Sequence, residues 1–190
     1  MATKKDKILE AAFDLFTKKG FNATTTKEIA ITSGVAEGLI FYYFKDKEDL
    51  LYKLIREFSF IGSLQKEIME LTKMEPYPAL IQFGRLYANF LSQNKSFLIF
   101  IWSPEIVQNS DVGEEIVDFI SIMREHASVF ISRVILCSVE KKVIDTAASM
   151  FLSSILTFVL VEERKMGDNL LVNQYIEEIV TVILKGIQNT

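Results

Sequence analysis

The chain has 190 residues, 49% of them hydrophobic, with 8 glycines, 3 prolines and a formal net charge of −4. That length and apolar content suffice for one sizeable core or for a small domain plus a larger one, and the scarcity of Gly and Pro argues against a sandwich of short strands. The overall acidity speaks against a uniformly basic nucleic-acid binder. The charge is uneven, however: residues 1–60 hold 10 Lys/Arg against 9 Asp/Glu, and residues 61–190 hold 11 against 16.

The first predicted helix spans residues 4–19, with Thr3 as cap and Asp6 at the third position. Ile8, Ala11, Ala12, Leu15 and Phe16 form its apolar stripe. Gly20 follows as a left-handed stop, and Phe21 can fold back onto the last turn. Lys4, Lys5 and Lys7 crowd the N-terminus, either as a basic arm able to meet phosphate or as a solvated terminus.

A second helix starts at the capping box Thr25-x-x-Glu28 and ends at Ser33-Gly34. A third runs from Ala36 to Phe44. The two fit a helix-turn-helix: Ile29, Ala30, Val35, Ile40 and Phe44 supply a small shared core, and Gly34 sits where the corner needs positive φ. In such a motif the start of the second helix enters the major groove. Ala36, Glu37, Gly38, Leu39, Tyr42 and Tyr43 are left for the outer face of the third helix. Gly38 there lets another backbone approach closely. Thr25 and Thr26 can give hydroxyl and N–H groups to a phosphate, and Lys47, opening the next helix, has the same opportunity.

That fourth helix starts at the cap Asp46-x-x-Asp49 and continues to about residue 71. The segment MEPYP is the plainest punctuation in the chain. Further helices are predicted over 78–93, 96–108, 112–138, 142–165 and 171–188, with Pro104 starting, kinking or splitting the second of them. The loop Lys165-Met-Gly-Asp precedes the last. The expectation is an all-α chain of about nine helices: a helix-turn-helix domain over 1–50 and a helical ligand-binding and dimerisation domain over 51–190.

This N-terminal stretch resembles the TetR family of bacterial transcriptional regulators over residues 5–52. The resemblance rests on ILEAAFDLFTKKGFNATTTKEIA, then SGV, then GLIFYYF, then KDKEDLL. It implies a homodimer that binds a palindromic operator on double-stranded DNA and releases it when a small molecule enters the C-terminal domain. By that resemblance Thr26 holds a phosphate and Lys27 reaches a base or phosphate. Glu37, Gly38 and Leu39 face bases, while Tyr42, Tyr43 and Lys47 hold the backbone. Three positions depart from the family pattern. Ala36 replaces a frequent Ser and removes a cap worth about 1 kcal/mol. Phe41 replaces a Tyr hydroxyl that often grips phosphate. Glu37 brings a carboxylate that accepts from cytosine N4 but repels phosphate. The last two motivate a second reading, a ligand- or protein-binding module of the same fold with weak or lost DNA binding.

Beyond residue 53 no metal, nucleophile or phosphate-loop constellation is found; no enzyme chemistry, metal or cofactor is expected. The lone Cys137 is read as a packed thiol in a reducing cytoplasm. Residues 146–161, TAASMFLSSILTFVLV, are shorter than a membrane span and read as a buried helix, so no membrane partner is expected. Phe97, Phe100, Trp102, Phe119, Met123, His126, Phe151 and Phe158 read singly as plain core or surface residues and together as the lining of a pocket for a hydrophobic effector. Arg85, Glu105, Arg124 or His126 are candidates for its polar contacts. For the dimer interface, Ala147, Met150, Phe151, Ser154, Ile155 and Phe158 share one face of a helix; Ile176, Ile179, Val180 and Ile183 share a face of the last. Two such helices per subunit can build a four-helix bundle.

Overall fold

The computed structural model of the chain describes residues 3–57, 65–135, 139–162 and 169–188. Among these it is all-α, without strands. The helices are α1 (Lys4–Lys19), α2 (Thr26–Ser33), α3 (Glu37–Tyr43), α4 (Lys47–Glu57), α5 (Gln65–Leu71), α6 (Pro76–Gln93), α7 (Lys95–Ile101), α8 (Pro104–Val107), α9 (Ser110–Ile135), α10 (Lys141–Thr157) and α11 (Asn169–Gln188), with a π turn, Phe158–Glu162, at the end of α10. The expected helix over 96–108 is two helices. Pro104, which has no N–H to donate, opens α8 at its first position. Cys137 and the loop at Lys165 lie outside the described residues.

The chain forms two compact units. The first joins Met1–Ser59 to Ser96–Phe119, and the second joins Phe60–Lys95 to Ile120–Thr190.

In the first unit the N-terminal signals act as read. Thr3 Oγ1 accepts from the Asp6 N–H at 3.1 Å and the Asp6 carboxylate accepts from the Thr3 N–H at 2.8 Å. Gly20 ends α1 with φ 92°. Phe21 turns back onto Phe16, ring centroids 5.2 Å apart. Ile8, Ala12, Phe16, Ile29, Ile40 and Leu50 are buried together with Phe44. Segment 96–119 completes this core: Phe97 stacks on Phe13 at 5.3 Å and Phe100 on Phe16 at 5.9 Å. Two polar ties accompany these rings. The Glu105 carboxylate accepts from the Asn22 N–H, and Arg56 makes a forked pair with Glu115 at 2.6 and 3.0 Å. Each buried Phe is worth about 1.5–3 kcal/mol relative to an exposed one.

In the second unit α6 packs on α10 and α11. Phe83 stacks on Phe130 at 4.5 Å and on Phe151 at 5.8 Å. Gly84 lets α10 and α11 approach: a Cβ there would lie 2.7 Å from Ile176 Cγ2 and 3.1 Å from Phe151 Cζ. Arg85 pairs with Glu177 at 3.1 Å, and Ser128 Oγ donates to Asp145 Oδ1 at 2.5 Å. Residues Lys141–Val161 are, by length and composition, sufficient to cross a membrane. Their Ile144, Ala148, Phe151, Leu152, Ile155 and Val159 are buried within the unit.

Candidate nucleic-acid interface

The corner between α2 and α3 is built by local chemistry. Thr25 caps α2 with both halves of the capping box present. Its partner Glu28 also pairs with Lys19 at 2.5 Å. Lys19 first, then the N–H and hydroxyl of Thr25, hold the Glu28 carboxyl down to about 2. At the other end Gly34 takes the left-handed conformation (φ 69°, ψ 33°), and its N–H and that of Val35 close the last turn on carbonyls of α2. Ala36 begins α3 without a side-chain cap, so the helix start rests on the Leu39 N–H to Ala36 carbonyl bond at 2.9 Å.

The outer face of α3 is open. Tyr42 is 78% exposed, and Ala36, Glu37, Gly38, Phe41 and Tyr43 are exposed as well; Leu39 is half-buried. Tyr42 and Tyr43 meet edge to face at 5.1 Å. Gly38 has empty space where a Cβ would stand, so no packing within the unit requires glycine there. Thr25 and Lys27 are exposed and Thr26 is half-buried at the start of α2.

Two expected phosphate contacts are engaged inside the unit. Thr26 Oγ1 donates to Glu37 Oε1 at 2.7 Å, bridging the starts of α2 and α3. Lys47 Nζ donates to the carbonyls of Phe21 and Thr24 at 2.9 and 3.0 Å and lies 4.2 Å from the Phe21 ring centroid. An ammonium has three N–H groups, so these two bonds leave one over. Reading by sequence missed both links, which join residues 11, 23 and 26 positions apart. It also passed over Ile31, which is 71% exposed on α2.

The expected pocket residues are divided between the units. Phe97, Phe100, Trp102 and Phe119 belong to the first; Met123, His126, Phe151 and Phe158 to the second. Phe97 and Phe100 are packed against α1, and Trp102 is exposed. His126 is exposed, its Nδ1 2.7 Å from the Ile122 carbonyl. Phe158 stacks on Tyr175 at 4.3 Å.

The residues expected at a dimer face are divided between the interior and the surface of the second unit. Phe151, Ile155, Ile176 and Val180 are fully buried within the single chain, and Ala147 and Ile183 nearly so. Phe151, Ile155 and Ile176 face α6 at Gly84, and Phe151 also stacks on the Phe83 ring of that helix. Ser154, Phe158 and Ile179 are half-buried, while Met150 is exposed. Ala147, Met150 and Ile183 of that face, with Val143, Val182 and Gly186, line a groove of about 360 Å³ between α10 and α11.

Comparison with known proteins agrees with this corner. The family described as "Bacterial regulatory proteins, tetR family" matches residues 8–54. The chain is 31% identical over 153 residues to the uncharacterized HTH-type transcriptional regulator YvkB of Bacillus subtilis, covering 70% of this chain and 79% of that one. It is 49% identical over 51 residues to the HTH-type transcriptional regulator QacR of Staphylococcus aureus, 27% of each chain, so only about a quarter of QacR is spanned. Among solved structures, the transcriptional regulator FadR from Bacillus subtilis in complex with stearoyl-CoA superposes with a TM-score of 0.72 at 19% identity, over 95% of this chain and 98% of that one; this shows a shared fold. The chain belongs to the tetR family of bacterial regulatory proteins, a family of DNA-binding transcriptional regulators and not of enzymes.

Proposed function

We propose that the protein is a ligand-responsive homodimeric repressor that binds a palindromic operator through α3 and is released by a small apolar or amphipathic effector. The observation that carries this reading is the open face of the corner, where Glu37, Gly38, Phe41, Tyr42 and Tyr43 are exposed on a helix packed against α2. A soluble head has no internal use for that many exposed aromatics. Residues 1–50 are the DNA-binding domain, and 51–190 the ligand-binding and dimerisation domain. Ala36, Glu37, Gly38 and Leu39 meet base edges. Thr25, Lys27, Tyr42, Tyr43 and the third N–H of Lys47 meet the sugar-phosphate backbone. The dimer forms over the groove of α10 and α11, and the protein works in the cytoplasm, where the DNA is.

The second unit has an aromatic interior, with Phe83 stacked on both Phe130 and Phe151, and Phe158 on Tyr175; an apolar effector would have to part these rings to enter. The structural neighbour bound to stearoyl-CoA makes long-chain acyl-CoA the first class to test. The test is a titration of acyl-CoAs of increasing chain length into a preformed protein–operator complex, followed by fluorescence anisotropy. Release that strengthens with chain length supports the proposal. Equal operator affinity with and without every acyl-CoA would reject this effector class.

A further inference from the structure

We infer that Glu37 selects a cytosine in each operator half-site, and that Thr26 is the positioning residue that aims it. The inference rests on the DNA-binding reading above and deepens it.

Glu37 is exposed at the first position of α3, on the face that approaches DNA. A carboxylate only accepts hydrogen bonds. Facing phosphates it is repelled, so its presence at an interface calls for a donor on the base edges. The major groove offers two such donors, cytosine N4 and adenine N6. Adenine sets its N7 acceptor beside N6, where a carboxylate oxygen meets a lone pair. Cytosine sets a C–H beside N4 and presents no such conflict. A single carboxylate therefore discriminates for cytosine.

The side chain is also held. Thr26 Oγ1 donates to Glu37 Oε1 at 2.7 Å, which leaves Oε2 and the second lone pair of Oε1 to accept from a base. Thr26 is itself fixed, because it is the first residue of α2 behind the Thr25–Glu28 capping box, and Glu28 is pinned in turn by Lys19. A Glu on a solvent-facing helix otherwise spreads over several rotamers, and ordering it on binding costs free energy. Here the order exists before DNA arrives. Thr26 thus serves base readout through Glu37, beyond the phosphate contact expected for it.

The test is selection from a randomised palindromic DNA library, with sequencing, for the full-length protein and four variants whose folding is checked by circular dichroism. The unmodified protein should prefer dC at one symmetric position of each half-site by about 10- to 100-fold. Glu37→Gln should move that preference to dA, since an amide pairs with adenine N6 and N7. Glu37→Ala should erase it there and nowhere else. Thr26→Val should weaken dC discrimination several-fold at that position, and Thr26→Ser should retain it. A purely structural role for Thr26 would lower affinity for all sequences alike and overturn the positioning assignment. Logos of Glu37→Gln and Glu37→Ala identical to that of the unmodified protein would overturn the inference while leaving specific DNA binding intact. Absence of any sequence preference in the unmodified protein would instead overturn the DNA-binding reading and this inference with it.

Discussion

Lys47 and Phe21 are joined twice: the ammonium donates to the Phe21 carbonyl at 2.9 Å and sits 4.2 Å from the centre of its ring. The same nitrogen reaches the Thr24 carbonyl at 3.0 Å, so the first residue of α4 ties down the connection between α1 and α2. A charged hydrogen bond is worth about 1.5–3 kcal/mol and a cation over a ring about 0.5–1 when exposed. Partial access to water reduces the sum. Lys47→Met should therefore destabilise the protein by roughly 1–3 kcal/mol, a fall in Tm of several degrees. Thermal unfolding by circular dichroism checks it; an unchanged Tm would mean that water replaces the ammonium at no cost.

Glu28 makes stability depend on acid. Its carboxyl is lowered from 4.5 to about 2 by Lys19 and by the Thr25 N–H and hydroxyl. A folded value below the unfolded one means stabilisation that is present above about 4.5 and disappears as pH falls toward 2. Glu28→Gln should lower the urea midpoint at pH 6, and the gap to the unmodified protein should close on acidification through that window. A gap constant from pH 6 to pH 3 would contradict the assigned cause.

Gly84 is a case where two effects oppose. Ala in a helix interior gains about 1 kcal/mol over Gly. A Cβ at Gly84, however, would stand 2.7 Å from Ile176 Cγ2 and 3.1 Å from Phe151 Cζ, both on fully buried side chains. Overpacking costs about 1–3 kcal/mol. The clash wins, because neither neighbour has an open direction in which to move, and Gly84→Ala should lower Tm by a few degrees. A raised Tm would show that α6 can shift away from α11.

Met150 and Val182, 52% and 60% exposed beside the groove of α10 and α11, test the proposed dimer. Met150→Lys and Val182→Lys remove no core contact, so each chain should fold as before. Sedimentation velocity should detect a shift from dimer to monomer at micromolar concentration. Phe151→Ala is the contrast: it opens a core cavity and should cost about 3–5 kcal/mol of stability. Retention of the dimer by both lysine variants would place the interface elsewhere.

What the sequence made legible was mostly local. The capping boxes at Thr3 and Thr25, the positive φ of Gly20 and Gly34 and the helix start at Pro104 each follow from residues within four positions of one another. The corner and its exposed face follow from the same rules. The partners of apolar faces were not legible. A stripe at helical spacing states that a face will be covered but not by what, and the stripe through Phe151 and Ile155 meets α6 of its own chain. Likewise the spacing of Phe97 and Phe100 does not say whether they line a pocket or fill a core, and they stack on rings of α1 more than 80 positions away. Residue type alone makes Lys47 and Thr26 phosphate ligands, and their bonds to Phe21 and Glu37 depend on how the corner folds.

The central claim, that the corner of α2 and α3 reads DNA, is tested most directly by incubating purified protein, stripped of bound ligand, with genomic fragments of the source organism at low and moderate salt and sequencing what is retained. Phosphate contacts weaken steeply with salt, whereas base contacts confer preference among sequences. The expected result is enrichment of one or a few palindromes that survives moderate salt. Retention without sequence preference that vanishes with salt, or no retention by folded protein, would contradict it.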